Sequence, residues 1–229
     1  VAETENGSKT LARGLRALRL VVASPAGLGV TDLAARLGVH RTIAYRMLQT
    51  LAEAGLVTRA TDGSYRGSVG LLQLQPAGYA ALRRLAAPIA QAAANDLAAT
   101  VSVLVAEGPE AIAVVVAAPV DARYRIIFSE GSTHPLTRGA AGHALAALAP
   151  ASPDDPPTVS LARQQGWARS FAEVEPGAHG VAVPVPVQHS DLRACVNLIT
   201  YREDIADAAV ERLIDAAREL AHSLDAALG

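Results

Sequence analysis

The sequence predicts an α+β fold in two parts: three helices and a β-hairpin, then a connecting helix and an antiparallel sheet with helices of its own. Apolar residues recur at three- and four-residue steps through the first fifty positions. An Asp-Gly pair then joins two short β-type runs, and the remainder alternates β-type runs with alanine-rich helical stretches. That order gives separate helical and mixed parts rather than a regular βαβ repeat.

Leu11, Leu15, Leu18 and Val22 line one side of a helix over 9–23, with Arg13, Arg16 and Arg19 on the other side. Ser24-Pro25-Ala26-Gly27 ends it, and Thr31 is the expected N-cap of a short second helix carrying Leu33, Ala34 and Leu37. Gly38 closes that helix, and a third runs from the turn at 38–40 to about Ala54, stopped by Gly55. The runs 56–60 and 64–67, joined by Thr61-Asp62-Gly63, form a wing-like hairpin. Residues 69–98 read mostly as helix, interrupted at Gln75-Pro76 and by Pro88.

Strands are expected at 100–106, 111–117, 123–128, 180–187 and 192–200, with a helix at 139–148 and a polar, proline-rich loop at 150–157. Ile205, Ala209, Leu213, Leu220 and Leu224 form the apolar face of a terminal helix. The expected division is 9–75 for the winged helix-turn-helix, 76–98 for a linker helix and 99–229 for the sheet domain.

Net charge is −2, so a uniformly basic coat is excluded. The charge is uneven: residues 1–75 carry nine Lys and Arg against five Asp and Glu, and the rest is acidic. Cys195 is the only cysteine, which excludes an intramolecular disulfide and a Cys-pair metal site and suits a reducing cytoplasm. No run matches a membrane span or a secretory signal, and no metal or cofactor is expected. Met47 is the single methionine and Val1 comes first, so the natural start is expected upstream, with 1–8 a disordered lead-in.

At about 100° per residue, Ile43, Ala44, Met47, Leu48 and Leu51 share one side of the third helix, the side expected to pack. Arg41, Thr42, Tyr45, Arg46 and Gln49 share the other. Guanidinium groups can bond guanine bidentately, a Gln amide can bond adenine, and hydroxyls can bond bases or phosphates. Arg41 and Thr42 are the leading base readers. His40, Tyr45, Arg46 and Gln49 are expected on bases or backbone, and Arg59 and Arg66 of the hairpin on flanking phosphates. A solvated face is the plainer reading of one helix; the hairpin after a helix-turn-helix favours double-stranded DNA.

Leu15-Arg16-Ala17-Leu18, Val30-Thr31-Asp32-Leu33-Ala34, Arg41 to Leu48 and Ala54-Gly55-Leu56-Val57 resemble the IclR family of bacterial transcriptional regulators. Tyr65-Arg66-Gly67, Arg138 to Leu145 and Glu175 to Val185 resemble that family's later motifs in the same order. The resemblance implies a GAF-like effector-binding domain behind the linker helix, a homodimer or tetramer, and half-sites about 34 Å apart or a multiple of that. By position it carries over effector contacts to Ala140, Ala141, Ser170, Gly180, Asn197 and Ile199. Ser170 and Gly180 depart from the acidic and thiol positions of members that bind small organic acids, and the segment 148–166 is shorter than the family's.

Gly139 to Gly142 open the helix expected at 139–148, where free N–H groups can hold a carboxylate; close helix packing is the alternative use of these glycines. Cys195 reads as a small buried side chain, and His134, His143, His179 and His189 as surface residues without metal-ligand spacing. Trp167 and Phe171 fit either a pocket wall or ordinary packing. The expected function is a DNA-binding regulator whose operator affinity follows a small effector, an organic acid among the candidates, and not an enzyme. The alternatives are a degenerate sensor without effector, a small-molecule-transforming enzyme, for which no nucleotide or hydrolase motif is present, and a winged helix reused for protein binding.

Overall fold

The computed structural model describes residues 7–74, 77–120, 128–188 and 191–228. They form two compact units, one ending at residue 76 and the other beginning at Ala77. The break expected at Gln75-Pro76, positions 123–127 of one expected strand, His189 and residues 1–6 of the lead-in lie outside the described residues.

The first unit holds α1 (Lys9–Val22), α2 (Val30–Leu37), α3 (Arg41–Glu53), β1 (Val57–Arg59) and β2 (Tyr65–Gly67), followed by a 3₁₀ segment, Val69–Leu74. Ser8 is no part of a loose lead-in: its Oγ accepts the Leu11 N–H at 3.3 Å and caps α1. The helix period of α1 is real, but its buried stripe is set by Ala17 and Val21, with Leu18 and Leu20 half-buried. Leu11 and Leu15, expected inside, are 62% and 52% exposed. The small Ala17 lets α1 approach its neighbours closely, which a Leu stripe would prevent.

The N-cap of α2 is Gly29 rather than Thr31, because the helix begins two residues earlier than the capping signal suggests. Gly38 ends α2 at φ +64, a left-handed conformation that glycine adopts without a Cβ penalty. The wing strands pair antiparallel, Thr58 opposite Arg66. Leu28 adds a third segment, its N–H donating to the Tyr65 carbonyl at 2.9 Å and its carbonyl accepting the Tyr65 N–H at 3.0 Å. Leu28, Leu33, Leu48, Val57 and Tyr65 are buried in one core with Ala17, Val21 and Ala44.

The second unit contains α4 (Ala77–Leu97), β3 (Thr100–Glu107), β4 (Glu110–Ala117), β5 (Thr133–Pro135), α5 (Gly139–Ala147), α6 (Pro157–Gln165), β6 (Ala168–Phe171), β7 (His179–Val185), β8 (Ala194–Thr200) and α7 (Glu203–Leu228). The strands form one antiparallel sheet in the order β5-β4-β3-β8-β7-β6. α4 and α7 cover one face, meeting Val101, Val103, Val181, Val183, Val196 and Leu198. α5 and α6 cover the other, over Leu104, Ala113, Ala182 and Cys195. Burial on both faces explains why the central strands read as continuous apolar runs.

In β4 the register slips: Val103 opposes Val115 and Leu104 opposes Ala113, leaving Val114 as a bulge. Val114 and Val115 therefore both serve the α4 and α7 face.

Pro88 sits inside α4 without ending it, against expectation. Proline removes one backbone donor, and Ile89, Ala90, Ala93 and Ala94 beyond it are buried against the sheet and hold the helix on course. α6 follows the loop expected at 150–157, in a stretch for which no element was expected; Pro157 opens it and Gly166, at φ +81, closes it.

Candidate functional site

α3 begins at His40, whose Nδ1 accepts the Thr42 N–H at 3.4 Å and lies 3.2 Å from Thr42 Oγ1. Behind this cap, Ala44 and Leu48 are buried and Met47 and Leu51 half-buried, which turns Arg41, Thr42, Tyr45, Arg46 and Gln49 outward. Ile43 departs from the sequence reading: placed there with the packing residues, it is 43% exposed and borders the polar face. The core accepts a narrower arc of the helix than five apolar positions suggested.

Among the described residues, Arg41, Arg46 and Arg59 have no carboxylate partner. Arg59 lies on β1 with its guanidinium carbon 6.0 Å from the centre of the Tyr65 ring. Arg66 is committed inside the unit: its Nη2 donates to the Ala26 carbonyl at 3.2 Å and lies 3.7 Å from Asp62. Asp62 shapes the wing tip, accepting the Ser64 hydroxyl at 2.6 Å and the Ser64 N–H at 2.9 Å. These hydrogen bonds, with Arg66 nearby, hold the Asp62 carboxyl below the usual carboxylate range.

In the second unit, Ala140, Ala141, Ser170, Gly180, Asn197 and Ile199 all line one cavity of about 60 Å³. Phe128, His134, Val174, Ala178 and His179 share its wall. Gly180 keeps the strand close to α5: a Cβ there would come 2.8 Å from Ser170 Oγ and 3.2 Å from the Ala140 Cβ. Asn197 is buried and its Nδ2 donates to Ser102 Oγ at 3.2 Å.

Two of the N–H groups at the start of α5, expected to be free, are taken. Glu173 Oε2 accepts from Gly139 at 2.7 Å, and Ser170 Oγ accepts from Ala140 at 2.9 Å. Gly142 serves the alternative use, since a Cβ there would meet the Leu136 carbonyl oxygen at 2.7 Å. His143 is buried, not a surface residue, and its Nε2 lies 3.5 Å from Glu173 Oε2. Nothing in the sequence signalled Glu173: it reaches α5 from 34 positions away, through strand pairing that no local pattern encodes.

Cys195 is buried against α5, and burial pushes its thiol up to about 12. Phe171 is 59% exposed and stands off the core, its ring 4.6 Å from that of His179. Trp167 packs at the edge of the α4 and α7 core. Among the described residues no group of three or more His, Cys, Asp or Glu could hold a metal ion, and no helix is long and apolar enough to cross a membrane.

Residues 10–61 match the IclR helix-turn-helix domain. Over 96% of the chain and 98% of the relative, the sequence is 22% identical to the HTH-type transcriptional regulator KipR of Bacillus subtilis. A second similarity, 28% over 63% of the chain and 56% of the relative, is to the HTH-type transcriptional regulator Rv1719 of Mycobacterium tuberculosis. Among solved structures, an IclR homologue from Microbacterium hydrocarbonoxydans in complex with 4-hydroxybenzoate shares the fold at TM-score 0.78 and 20% identity, covering 95% of this chain and 99% of that one. The IclR-type regulator of Alicyclobacillus acidocaldarius superposes at 0.74 and 21% identity, with 95% and 99% covered. Residues 10–61 are thus an IclR helix-turn-helix domain, and the chain as a whole, with a curled antiparallel sheet and helices behind that domain, is similar over nearly its full length to transcriptional regulators of the IclR family.

Proposed function

We propose that the α3 face and the wing bind double-stranded operator DNA, and that a small molecule held in the cavity beside α5 sets operator affinity. One observation carries the DNA reading: Arg41 and Arg46 stand exposed beside Thr42, Tyr45 and Gln49 over the first turns of a helix whose opposite side is buried. Arg41 and Thr42 take base edges. His40, Tyr45, Arg46 and Gln49 take bases or phosphates, and Arg59 a flanking phosphate. Arg66 supports the wing and adds a phosphate contact from its exposed edge. In this reading 9–75 is the DNA-binding domain, 76–98 the linker helix and 99–229 the effector domain of a homodimer or tetramer, working in the cytoplasm.

The six residues Ala140, Ala141, Ser170, Gly180, Asn197 and Ile199 support the effector reading by lining one cavity. The 4-hydroxybenzoate in the Microbacterium complex supports a small organic acid as its class. Regulation requires that the effector bind two conformations unequally. Selection of bound genomic fragments, followed by fluorescence anisotropy on the recovered site, tests the reading. A site bound at least about a thousandfold tighter than random duplex supports it, and equal binding to all duplexes ends it.

A further inference from the structure

We propose that Glu173 is a resident substitute for an effector carboxylate: it occupies the anion seat at the start of α5, and an external monocarboxylate enters only by displacing it. The inference rests on the effector reading above for its regulatory meaning, but not for its geometry. Glu173 Oε2 accepts the Gly139 N–H at 2.7 Å at the positive end of the α5 dipole, so the seat holds a carboxylate. The same oxygen lies 3.5 Å from Nε2 of His143, a side chain 5% exposed whose Nδ1 has no hydrogen-bond partner among the described residues. The Nε2 side of this buried imidazole faces the seat at 3.5 Å, too long for a charge-assisted hydrogen bond, so it can donate to an anion that sits closer.

The carboxylate belongs to a strap, residues 172–178, that is tied at its base and strained at its entry. The Ala172 N–H donates to the Ala178 carbonyl at 2.8 Å, closing the strap as a loop. Ala172 itself adopts φ +55, a conformation costly for a residue with a Cβ. Arg138 donates to the Glu173 carbonyl and pins the strap over the helix start. Val174 completes the cover, and a Cβ on Gly139 would come 2.6 Å from its Cγ2. With the strap down, the cavity is about 60 Å³, far below the roughly 300 Å³ at which small-molecule sites begin. Displacing Glu173 empties the seat and lifts Val174 together, so binding and opening are one event.

The lining selects among acids. Phe128, Val174, Ala178 and Ile199 offer an apolar wall, while Glu175, which accepts the Tyr201 hydroxyl at 3.1 Å, also lines the cavity. A second carboxylate on the ligand would face Glu175, so the seat suits a single acid group on an apolar body.

The test compares the wild-type chain with Glu173→Ala and Glu173→Gln, using acetate, benzoate and succinate as probes at constant ionic strength. Calorimetry gives the affinities, and the Gly139 amide resonance reports the seat. Glu173→Ala should bind benzoate about 10- to 100-fold tighter than wild type, because no internal competitor remains. Glu173→Gln keeps the side-chain length but loses the charge, and should fall between them. Benzoate should shift the Gly139 resonance, and succinate should bind more weakly than benzoate. Equal benzoate affinity in all three chains, or no benzoate binding to a Glu173→Ala chain that melts like wild type, overturns the proposal. Tighter binding with a shifted Gly139 resonance but unchanged operator affinity upholds the displaced carboxylate and instead removes the regulatory reading of the cavity.

Discussion

His40 caps the helix that follows it, its Nδ1 accepting the Thr42 N–H at 3.4 Å. The side chain that ends the turn between α2 and α3 therefore also fixes where Arg41 and Thr42 point. A carboxylate or amide oxygen can replace Nδ1 as acceptor, and Asp and Asn are stronger caps than His. His40→Asn is expected to hold or raise stability, by up to about 1 kcal/mol, and to weaken DNA binding by no more than the loss of one contact, roughly 1–3 kcal/mol. His40→Asp keeps the cap but sets a negative charge beside phosphates, and is expected to weaken DNA binding about tenfold at low salt. Thermal melts and anisotropy titrations on the same samples separate the two effects.

Arg46 and Arg59 predict different kinds of loss. Arg46 projects from the exposed side of α3, so Arg46→Ala is expected to cost roughly 1–3 kcal/mol on the selected site and less on random duplex. Arg59 projects from the wing, and Arg59→Ala is expected to weaken every duplex alike and lower the salt slope by about 1. Titrations at several salt concentrations check both. Equal losses on both duplexes for Arg46→Ala would make it a phosphate contact.

How much of this was legible in the sequence depended on whether the signal was local. The three N-terminal helices, the Asp-Gly wing and the strands expected at 100–106, 111–117, 180–187 and 192–200 are written in spacing within ten residues, and they emerge close to where they were read. Leu11, Leu15 and Ile43 did not: periodicity names an apolar arc, and the neighbours decide which part of it is covered. Those neighbours are chosen by tertiary packing around Ala17 and Ala44. β5 and β6 were missed because strands of three and four residues carry too short an alternation to register. α6 was legible in principle from Pro157 and Gly166, but the preceding prolines masked it. Ala140, Ala141, Ser170, Gly180, Asn197 and Ile199 line one cavity, whereas Glu173 comes from a position outside every motif.

Cys195 is expected to be silent toward thiol reagents in the native protein. Its thiol stays protonated far above neutral pH because the thiolate would be desolvated between β8 and α5. Folding therefore prefers the protonated form. This contribution is complete below the unfolded thiol's pKa, near 9, and is lost as pH climbs toward about 12. Labelling should follow global unfolding, and Cys195→Ala should lessen the alkaline part of the stability loss. Rapid labelling at pH 8 under native conditions would contradict this.

Ala98 turns the chain from α4 into β3 at φ +48, a conformation that glycine adopts more cheaply. Ala98→Gly is expected to stabilise the protein by about 0.5–1 kcal/mol, the relief of strain exceeding the added freedom of the unfolded chain. That corresponds to a melting rise of roughly 1–4 °C for two-state unfolding, read by calorimetry.

The bulge at Val114 acts as a phase shifter. Up to Ala113, odd-numbered residues of β4 look toward α5; from Val115 onward they look toward α4 and α7. Excising Val114 would remove the surplus residue and leave plain alternation, with Ala113 and Val116 still toward α5 and Val115 and Ala117 still toward α4 and α7. One surplus residue thus gives the α4 and α7 wall an additional valine, and it makes this the point in the strand where a lost codon leaves every other side chain on its own wall.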